Sequence, residues 1–359
     1  MSETSIDRDA SRGANQPAGA VRVEHYRGDA AEWDELARRW PGSTHCHRFA
    51  WGDLMQRVFG HAPHRLVARD GDGRITGLLP LVSVRSLLFG RYLVSMPFLN
   101  YGGTLGDDRS ARALAEEALR LARGGRVKLL ELRSRRPVEL PLAVSHRKVT
   151  MLLDLPGESA ALWKGFTPKL RSQIRRPQKE GLAVRFGAAE VGAFYAVFAR
   201  HMRDLGTPVM PRAFFEEIVR TFPDDTLVAT VYAGELPVAA GLGFFWQGEF
   251  EITWASSLLS HKQVAPNMLL YWAMMERCIE QGASVFNFGR TTPGSGTHRF
   301  KQQWGTREEQ LWWYGASDRD GATTPAPTDS AYAWGPRIWK KLPLPIASAL
   351  GPRVVRGIP

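Results

Sequence analysis

The chain carries one pattern twice. RLARGGRVKLLELR, from Arg120 to Arg133, aligns without gaps on RCIEQGASVFNFGR, from Arg277 to Arg290. In each copy a helical pattern ends, the chain turns at a glycine (Gly125, Gly282), runs a short apolar strand and stops at an arginine. Upstream, Leu66-Val-Ala and Leu227-Val-Ala open two similar hairpins. A duplicated helix–glycine–strand unit restricts the fold to a mixed α/β (α+β) module in tandem, each sheet flanked by helices. At 359 residues there is room for two such domains, placed at 21–147 and 148–317.

The flanks differ from these domains in composition. Residues 1–20 are polar and without an apolar run, which reads as a disordered leader and not as a signal peptide. Residues 318–359 read as a Gly/Pro/Thr linker followed by a basic, Trp-containing tail. Arg337, Lys340, Lys341, Arg353 and Arg356 there face no acid in sequence, and Trp334, Ile338, Trp339 and Leu342 are interleaved. Such a tail suits either a membrane surface, through peripheral contact, or packing over the second domain. No run is long enough to span a bilayer, and Cys46 and Cys278 are too far apart to suggest a disulfide framework, so the expected location is cytoplasmic, with peripheral contact at the inner membrane.

Within the first domain, helices are expected at 30–40, 49–59 and 111–123, a hairpin at 65–84 around Asp70-Gly-Asp-Gly73, and a strand at 127–132. Within the second, strands are expected at 149–155, 182–186, 226–232, 237–246, 250–255, 285–288 and 311–314. Helices are expected at 189–205, 212–221 and 266–281, the last apolar nearly all round and therefore buried. Pro177 should kink or end the helical segment around Leu170.

The net charge of +11 favours phosphate-rich partners such as RNA, nucleotide-linked precursors or an anionic membrane face; no DNA partner is expected. Three segments localise that charge. In FNFGRTTPGSGTHRFKQQWG (286–305), Lys301 lies between Phe300 and Trp304, beyond a Gly/Ser/Thr loop that follows Arg290. Such a cation suits an anionic or carbonyl-bearing group, with Arg290 as a bidentate clamp and Thr291 in an oxyanion or phosphate pocket. Arg171, Arg175 and Lys179 fall at i, i+4 and i+8, where like charges repel unless an anion binds. Tyr195, His201 and Arg203 lie on one helix and suit contact with a sugar or nucleotide. Glu251, on an apolar strand, is the best carboxylate for a base. His45, Cys46, His47, His61 and His64 fit no standard zinc spacing, so no metal site is expected.

Several of these strings together resemble the FemAB-like proteins, and more narrowly the subgroup associated with the XrtA/PEP-CTERM exopolysaccharide and protein-sorting system. They are KLRSQIRRPQKEGL from Lys169, MRDLGTP from Met202, Phe288-Gly-Arg290, FKQQWG from Phe300, SMPFLNYGG from Ser95, Glu131-Leu-Arg133 and WKKLPLP from Trp339. The resemblance spans about 24–359. It implies two GNAT-like (acyl-CoA N-acyltransferase) domains and transfer of an acyl or aminoacyl group to an amine of a cell-envelope or exopolysaccharide precursor. No bound cofactor is implied; the donor is aminoacyl-tRNA or acyl-CoA. It also implies that Lys301 holds the donor ester and stabilises developing negative charge. The family has Phe-Asp-Phe-Gly-Arg-Ser where this chain has Asn287 and Thr291. Two alternatives stay open. One is an acyl-CoA-dependent N-acetyltransferase, against which Gln263-Val-Ala-Pro-Asn-Met268 lacks the glycines of a pyrophosphate turn. The other is a non-catalytic RNA- or membrane-binding accessory protein.

Overall fold

The computed structural model describes residues 21–86, 89–317 and 334–358. The 1–20 leader and the 318–333 linker lie outside them.

In chain order the elements are β1 (Arg22–His25), α1 (Ala30–Arg38), α2 (Phe49–Phe59), β2 (Ala62–Arg69), β3 (Ile75–Ser86), β4 (Gly90–Val94), β5 (Leu105–Gly106), α3 (Asp108–Gly124), β6 (Leu129–Ser134) and β7 (Ala143–Ser145). There follow β8 (Val149–Asp154), α4 (Ser159–Gly165), α5 (Pro168–Lys179), β9 (Ala183–Phe186), α6 (Val191–Leu205), α7 (Arg212–Thr221), β10 (Thr226–Ala233), β11 (Leu236–Trp246), β12 (Glu249–Ser257), α8 (Pro266–Glu280), β13 (Val285–Thr291) and α9 (Gly296–Gln302). The chain closes with β14 (Arg307–Gln310), β15 (Trp312–Ser317), α10 (Trp334–Trp339) and α11 (Leu344–Val355).

Two mixed sheets result. The first runs β1-β2-β3-β4-β6-β15-β7, with β5 on β3; the second runs β14-β8-β13-β12-β11-β10-β9. Each contains one parallel pair, β4 with β6 and β12 with β13, joined by a crossover helix, α3 or α8. These are the helix–glycine–strand segments that repeat in the sequence. Because a parallel connection needs such a crossover, the duplicated motif sets the centre of each sheet.

The expected partition of the chain changes at its end. The strand expected at 311–314 in the second domain is β15, and it pairs with β6 and β7 in the first sheet. The second unit thus closes the first sheet. Pro177 neither ends nor interrupts α5, which runs through it to Lys179. Pro177 instead packs as a buried side chain beside Ile174 and Leu170. Near the last turn of a helix the missing N–H costs one bond only.

The units share a core. Trp51, Leu54 and Phe59 of α2 and Met96 and Leu99 of the following loop pack with Phe194 and Phe198 of α6, Phe214 and Phe215 of α7, and Phe244 and Trp254 of the second sheet. On the far face of that sheet, α5 and α8 cover Phe250, Phe286 and Phe288. α3 covers the outer face of the first sheet through Leu114, Ala115 and Ala118. The two units are therefore held by a buried aromatic contact, which fixes the cleft between them.

Candidate active site between the two units

β12 and β13 pair over three residues only, Glu249–Val285, Phe250–Phe286 and Glu251–Asn287. Beyond Asn287 the register shifts, and Arg290 and Thr291 pair with β8 alone. The bulge needs glycine at 289: its φ is 72°, and a Cβ there would lie 3.1 Å from Asn100 Nδ2 and 3.3 Å from the Ile252 carbonyl. Parting strands expose backbone carbonyls, and Lys301 takes two of them. Its Nζ donates to the Gly289 oxygen at 2.8 Å and the Arg290 oxygen at 2.9 Å. An ammonium has three donors, so one position on Nζ remains. Burial pushes the Lys301 pKa down to about 7, with Arg290 adding to the shift and Glu251 opposing it.

Phe300 and Trp304 do not flank this ammonium as substrate contacts. Trp304 is buried, Phe300 lies half-buried, and both pack on Tyr271 of α8. The Gly/Ser/Thr loop also has a local use. Ser295 caps α9 by accepting from the His298 N–H, and Thr291 Oγ1 shares hydrogen bonds with Ser295 and Thr297. Those hydroxyls satisfy one another, so the expected anion pocket at Thr291 is closed by its own loop.

Arg290 is different. Its guanidinium lies 5.1 Å from the Trp313 ring centroid and has no hydrogen-bond or ion-pair partner among the described residues. Burial and Arg133 lower its pKa to about 10, so it stays charged at neutral pH. Lys148 stands nearby, its pKa lowered by burial and by Arg290, with Nζ donating to Thr292 Oγ1 at 2.6 Å. Arg133, its counterpart in the repeat, is by contrast satisfied by Glu131 and the Leu99 carbonyl.

Opposite lie the acids. Glu249 and Glu251 alternate on β12 and so share a face. Glu251 accepts from Asn100 Nδ2 at 2.5 Å and contacts His45 Nε2 at 3.1 Å. Burial opposes charge at Glu251, but His45 and the Asn100 hydrogen bond hold its pKa below the usual range. Burial likewise opposes charge on His45, yet Cys46 and Glu251 raise its pKa to about 10. Both carboxylate oxygens of Glu249 accept from Arg135 Nη1, at 2.8 and 2.9 Å, and Oε1 accepts from Asn287 Nδ2 at 2.7 Å. Asn287 also joins Tyr101 and Thr150 in a buried hydrogen-bonded ring. The loop that brings Asn100 and Tyr101 here is strained, with Met96 and Phe98 at positive φ. A cavity of about 340 Å³ opens on this side, lined by His45, Glu249, Glu251, Glu309, Arg135 and Trp246 among others.

His45, Cys46 and Glu251 place a nitrogen, a sulfur and an oxygen within 4.8 Å of one another, a donor set zinc would accept. The fit is poor. Both close contacts fall on the same Nε2, one of them at hydrogen-bond distance, and Nδ1 is buried with no partner to orient the ring.

The remaining candidates lie elsewhere. Arg171 Nη1 donates to the Phe166, Lys164 and Trp163 carbonyls, so it closes the C-terminal end of α4. Arg175 stacks on Trp163 at 5.1 Å, and Lys179 is exposed. The row at i, i+4 and i+8 is thus used unequally. Tyr195 donates to the Met210 carbonyl, and Arg203 pairs with Asp204 and the Leu342 carbonyl under the C-terminal tail. Neither is brought to the parting strands. Asn100, Tyr101, Arg135, Glu249 and Glu309, to which the sequence gave no site role, and His45, which it weighed only as a metal ligand, come together through packing of the units. Glu249 and Glu251 at alternate positions of an otherwise apolar strand were the available signal.

Residues 166–302 match the family model of the acetyltransferase (GNAT) domain. No curated protein matches the chain. Among solved structures it resembles FemX, at 15% identity and a TM-score of 0.60 over 81% of this chain and 97% of that one. It also resembles a tandem GNAT protein from the clavulanic acid biosynthesis pathway, at 13% identity and 0.52 over 84% and 100%. A third is the C-terminal domain of an Agrobacterium fabrum protein named as a lysylphosphatidylglycerol synthetase, at 13% and 0.51 over 80% and 91%. The chain has the tandem GNAT fold, two mixed α/β units in series, with the GNAT acetyltransferase domain match lying in the second.

Proposed function

We propose that the chain is an N-acyl or aminoacyl transferase whose reaction centre is the gap between β12 and β13. The observation that carries this reading is Arg290: a half-buried, charged guanidinium with no hydrogen-bond or ion-pair partner among the described residues, coupled electrostatically to the Lys301 ammonium. Attack of an amine on an ester or thioester carbonyl forms a C–N bond and an oxyanion; collapse breaks the C–O or C–S bond. Arg290 faces the charge that develops, and a fixed cation in a partly dry site favours that state over the ground state. The amine must also lose a proton. Lys301, with a pKa of about 7, is suited to take it, since two of its N–H groups are held by carbonyls in either form. The acceptor lies in the cavity beside Glu249 and Glu309, whose carboxylates suit an amine.

For the donor, aminoacyl-tRNA is the preferred reading. α8 opens with Pro266, which has no N–H, after Ala265 in a left-handed conformation, and no side chain caps it. That is a poor cradle for a pyrophosphate. The lysyl group in the name of one structural relative supports the same reading. The GNAT domain match supports acyl-CoA as the second reading. An amine of an envelope or exopolysaccharide precursor, in the XrtA/PEP-CTERM setting, is the proposed acceptor. Purified protein is incubated with each donor and a precursor extract, and mass gain is followed by mass spectrometry. Product from one donor only, lost in Arg290→Ala, is expected; no product from either, or equal product from the variant, overturns the reading.

A further inference from the structure

The C-terminal helices are docked, yet they keep one face that the protein itself does not use. Arg203 donates to the Leu342 carbonyl at 3.2 Å. Gly206 admits Pro336 where a Cβ would come within 2.5 Å of its carbonyl oxygen. Ala347 is buried, and a Cβ on Gly351 would lie 2.8 Å from the Val209 nitrogen. Farther on, Arg356 reaches Gly60 and Gly357 packs on Ser86 and Phe89. The tail therefore crosses from the second unit to the first as a strap with its inner face filled.

Its outer face is apolar and basic together. Of the seven large hydrophobic side chains that stand exposed among the described residues, Ile338, Ile346 and Leu350 lie on this strap, and Leu205 lies beside it next to Gly206. Ile346, Leu350 and Arg353 follow one another at i, i+4 and i+7, hence on one side of α11. Arg337, Lys340, Lys341, Arg353 and Arg356 are exposed, and residues 334–358 contain no acid. None of the five is in an ion pair among the described residues. Trp339, half-buried, sits in the same segment. An RNA would account for the bases and leave the exposed Ile and Leu side chains unexplained. A second protein would call for fewer scattered lysines at its centre.

We propose that this strap is a membrane-interface surface: it lies on an anionic phospholipid bilayer, with Ile338, Ile346, Leu350 and Leu205 entering the headgroup–acyl boundary and Arg337, Lys340, Lys341 and Arg353 facing lipid phosphates. No helix among the described residues is long and apolar enough to cross a membrane, and α11 at 12 residues is of a length to lie in the interface plane. The placement holds both units against the bilayer, since the strap touches both.

The test is co-sedimentation of the full chain with vesicles of phosphatidylcholine alone and of phosphatidylcholine mixed with phosphatidylglycerol. Binding to the anionic vesicles only, weakened by added salt, is expected. Lys340→Gln/Lys341→Gln should lower the partition coefficient roughly 25-fold, at about fivefold per charge. Ile346→Ser/Leu350→Ser should lower it roughly tenfold even at low salt. All four side chains are exposed, and melting temperatures equal to wild type exclude unfolding as the cause. Should the α11 variant melt early, the lysine variant alone decides. The proposal is overturned if the wild type pellets with neither vesicle, or if the variants bind as wild type does. It also fails if sedimentation velocity finds a dimer that Ile346→Ser splits, which would give the face to a second copy.

Discussion

The guanidinium of Arg290 rests on the indole of Trp313, 5.1 Å from the ring centroid. Arg133, its counterpart in the repeat, rests on the same indole at 4.9 Å. Trp313 belongs to β15, the strand that leaves the second unit to close the first sheet. One aromatic ring thus brings together the ends of both repeated strands. Only one of the two arginines is satisfied by the protein. Glu131 and backbone carbonyls hold Arg133, whereas the Arg290 guanidinium has no hydrogen bond or ion pair among the described residues.

That asymmetry yields a prediction. Arg290→Ala should lower kcat/KM by 100-fold or more, in the range seen when a single oxyanion donor is removed. The same change should leave the melting temperature unchanged or raise it, because a half-buried cation without a partner is a cost to the fold. Arg133→Ala should do the reverse, destabilising by about 3 kcal/mol as the buried Glu131 carboxylate loses its Arg133 ion pair. Thermal melts beside steady-state rates separate the two. Early melting of Arg290→Ala would show that the arginine is structural.

Lys301 gives a pH dependence. Its pKa is near 7 in the fold and 10.5 in the unfolded chain. Between those values the unfolded state binds one more proton, so this residue makes stability rise with pH across that window and adds no slope below it. Lys301→Met cannot titrate. The difference in unfolding free energy, wild type minus variant, should therefore grow by about 1.4 kcal/mol per pH unit from about pH 7.5 to 9.5. Urea denaturation at several pH values measures it. A flat difference would mean that the ammonium is solvated and charged throughout.

Legibility in the sequence followed the range of the interactions. The repeat fixed the two parallel pairs because helix, glycine and strand are contiguous. Arg290 and Lys301 were visible because one loop joins them. The acid side of the cleft was not. Asn100, His45 and Glu251 are separated by 151 and 206 positions at their contacts, and no local pattern encodes that pairing. The exchange of β15 escaped for a similar reason: an alternating strand shows that it will pair, not with which sheet. Phe300 and Trp304 pack on Tyr271 of α8, a contact across about 30 positions that their closeness to Lys301 in sequence does not encode.

The basic helix divides into a structural and a free part. Arg171 donates to three carbonyls at the end of α4, so Arg171→Ala should cost about 1–3 kcal/mol of stability. It should not change the salt dependence of tRNA binding. Lys169, Arg176 and Lys179 are exposed. Neutralising the three together should flatten the slope of log K against log salt by about 2 to 3 while the melt stays as it was. A gel-shift series over salt concentrations decides. Loss of slope in Arg171→Ala at unchanged stability would return that residue to the binding face.

Asn287 is the position where the resembled family has an aspartate, and the fold explains why this chain differs. Asn287 accepts from Thr150 Oγ1 and the Gly289 N–H, while its Nδ2 donates to Tyr101 OH at 3.1 Å and to Glu249 Oε1 at 2.7 Å. A carboxylate in its place would keep the acceptor and turn both donors into acceptors. Two carboxylate oxygens would then meet at the Glu249 contact, in a fully buried position. Asn287→Asp should accordingly destabilise by about 3 kcal/mol near pH 8. The introduced carboxyl would have its pKa raised in the fold above the unfolded value of about 3.9. Its penalty is therefore present above the folded pKa and is relieved as pH falls through it, since the folded state then binds the extra proton. The gap between variant and wild type, measured by urea denaturation, should narrow from pH 8 towards pH 5. A penalty that stays constant over this range would place the loss in packing, and Glu249 would then be free to serve an acceptor amine without help from Asn287.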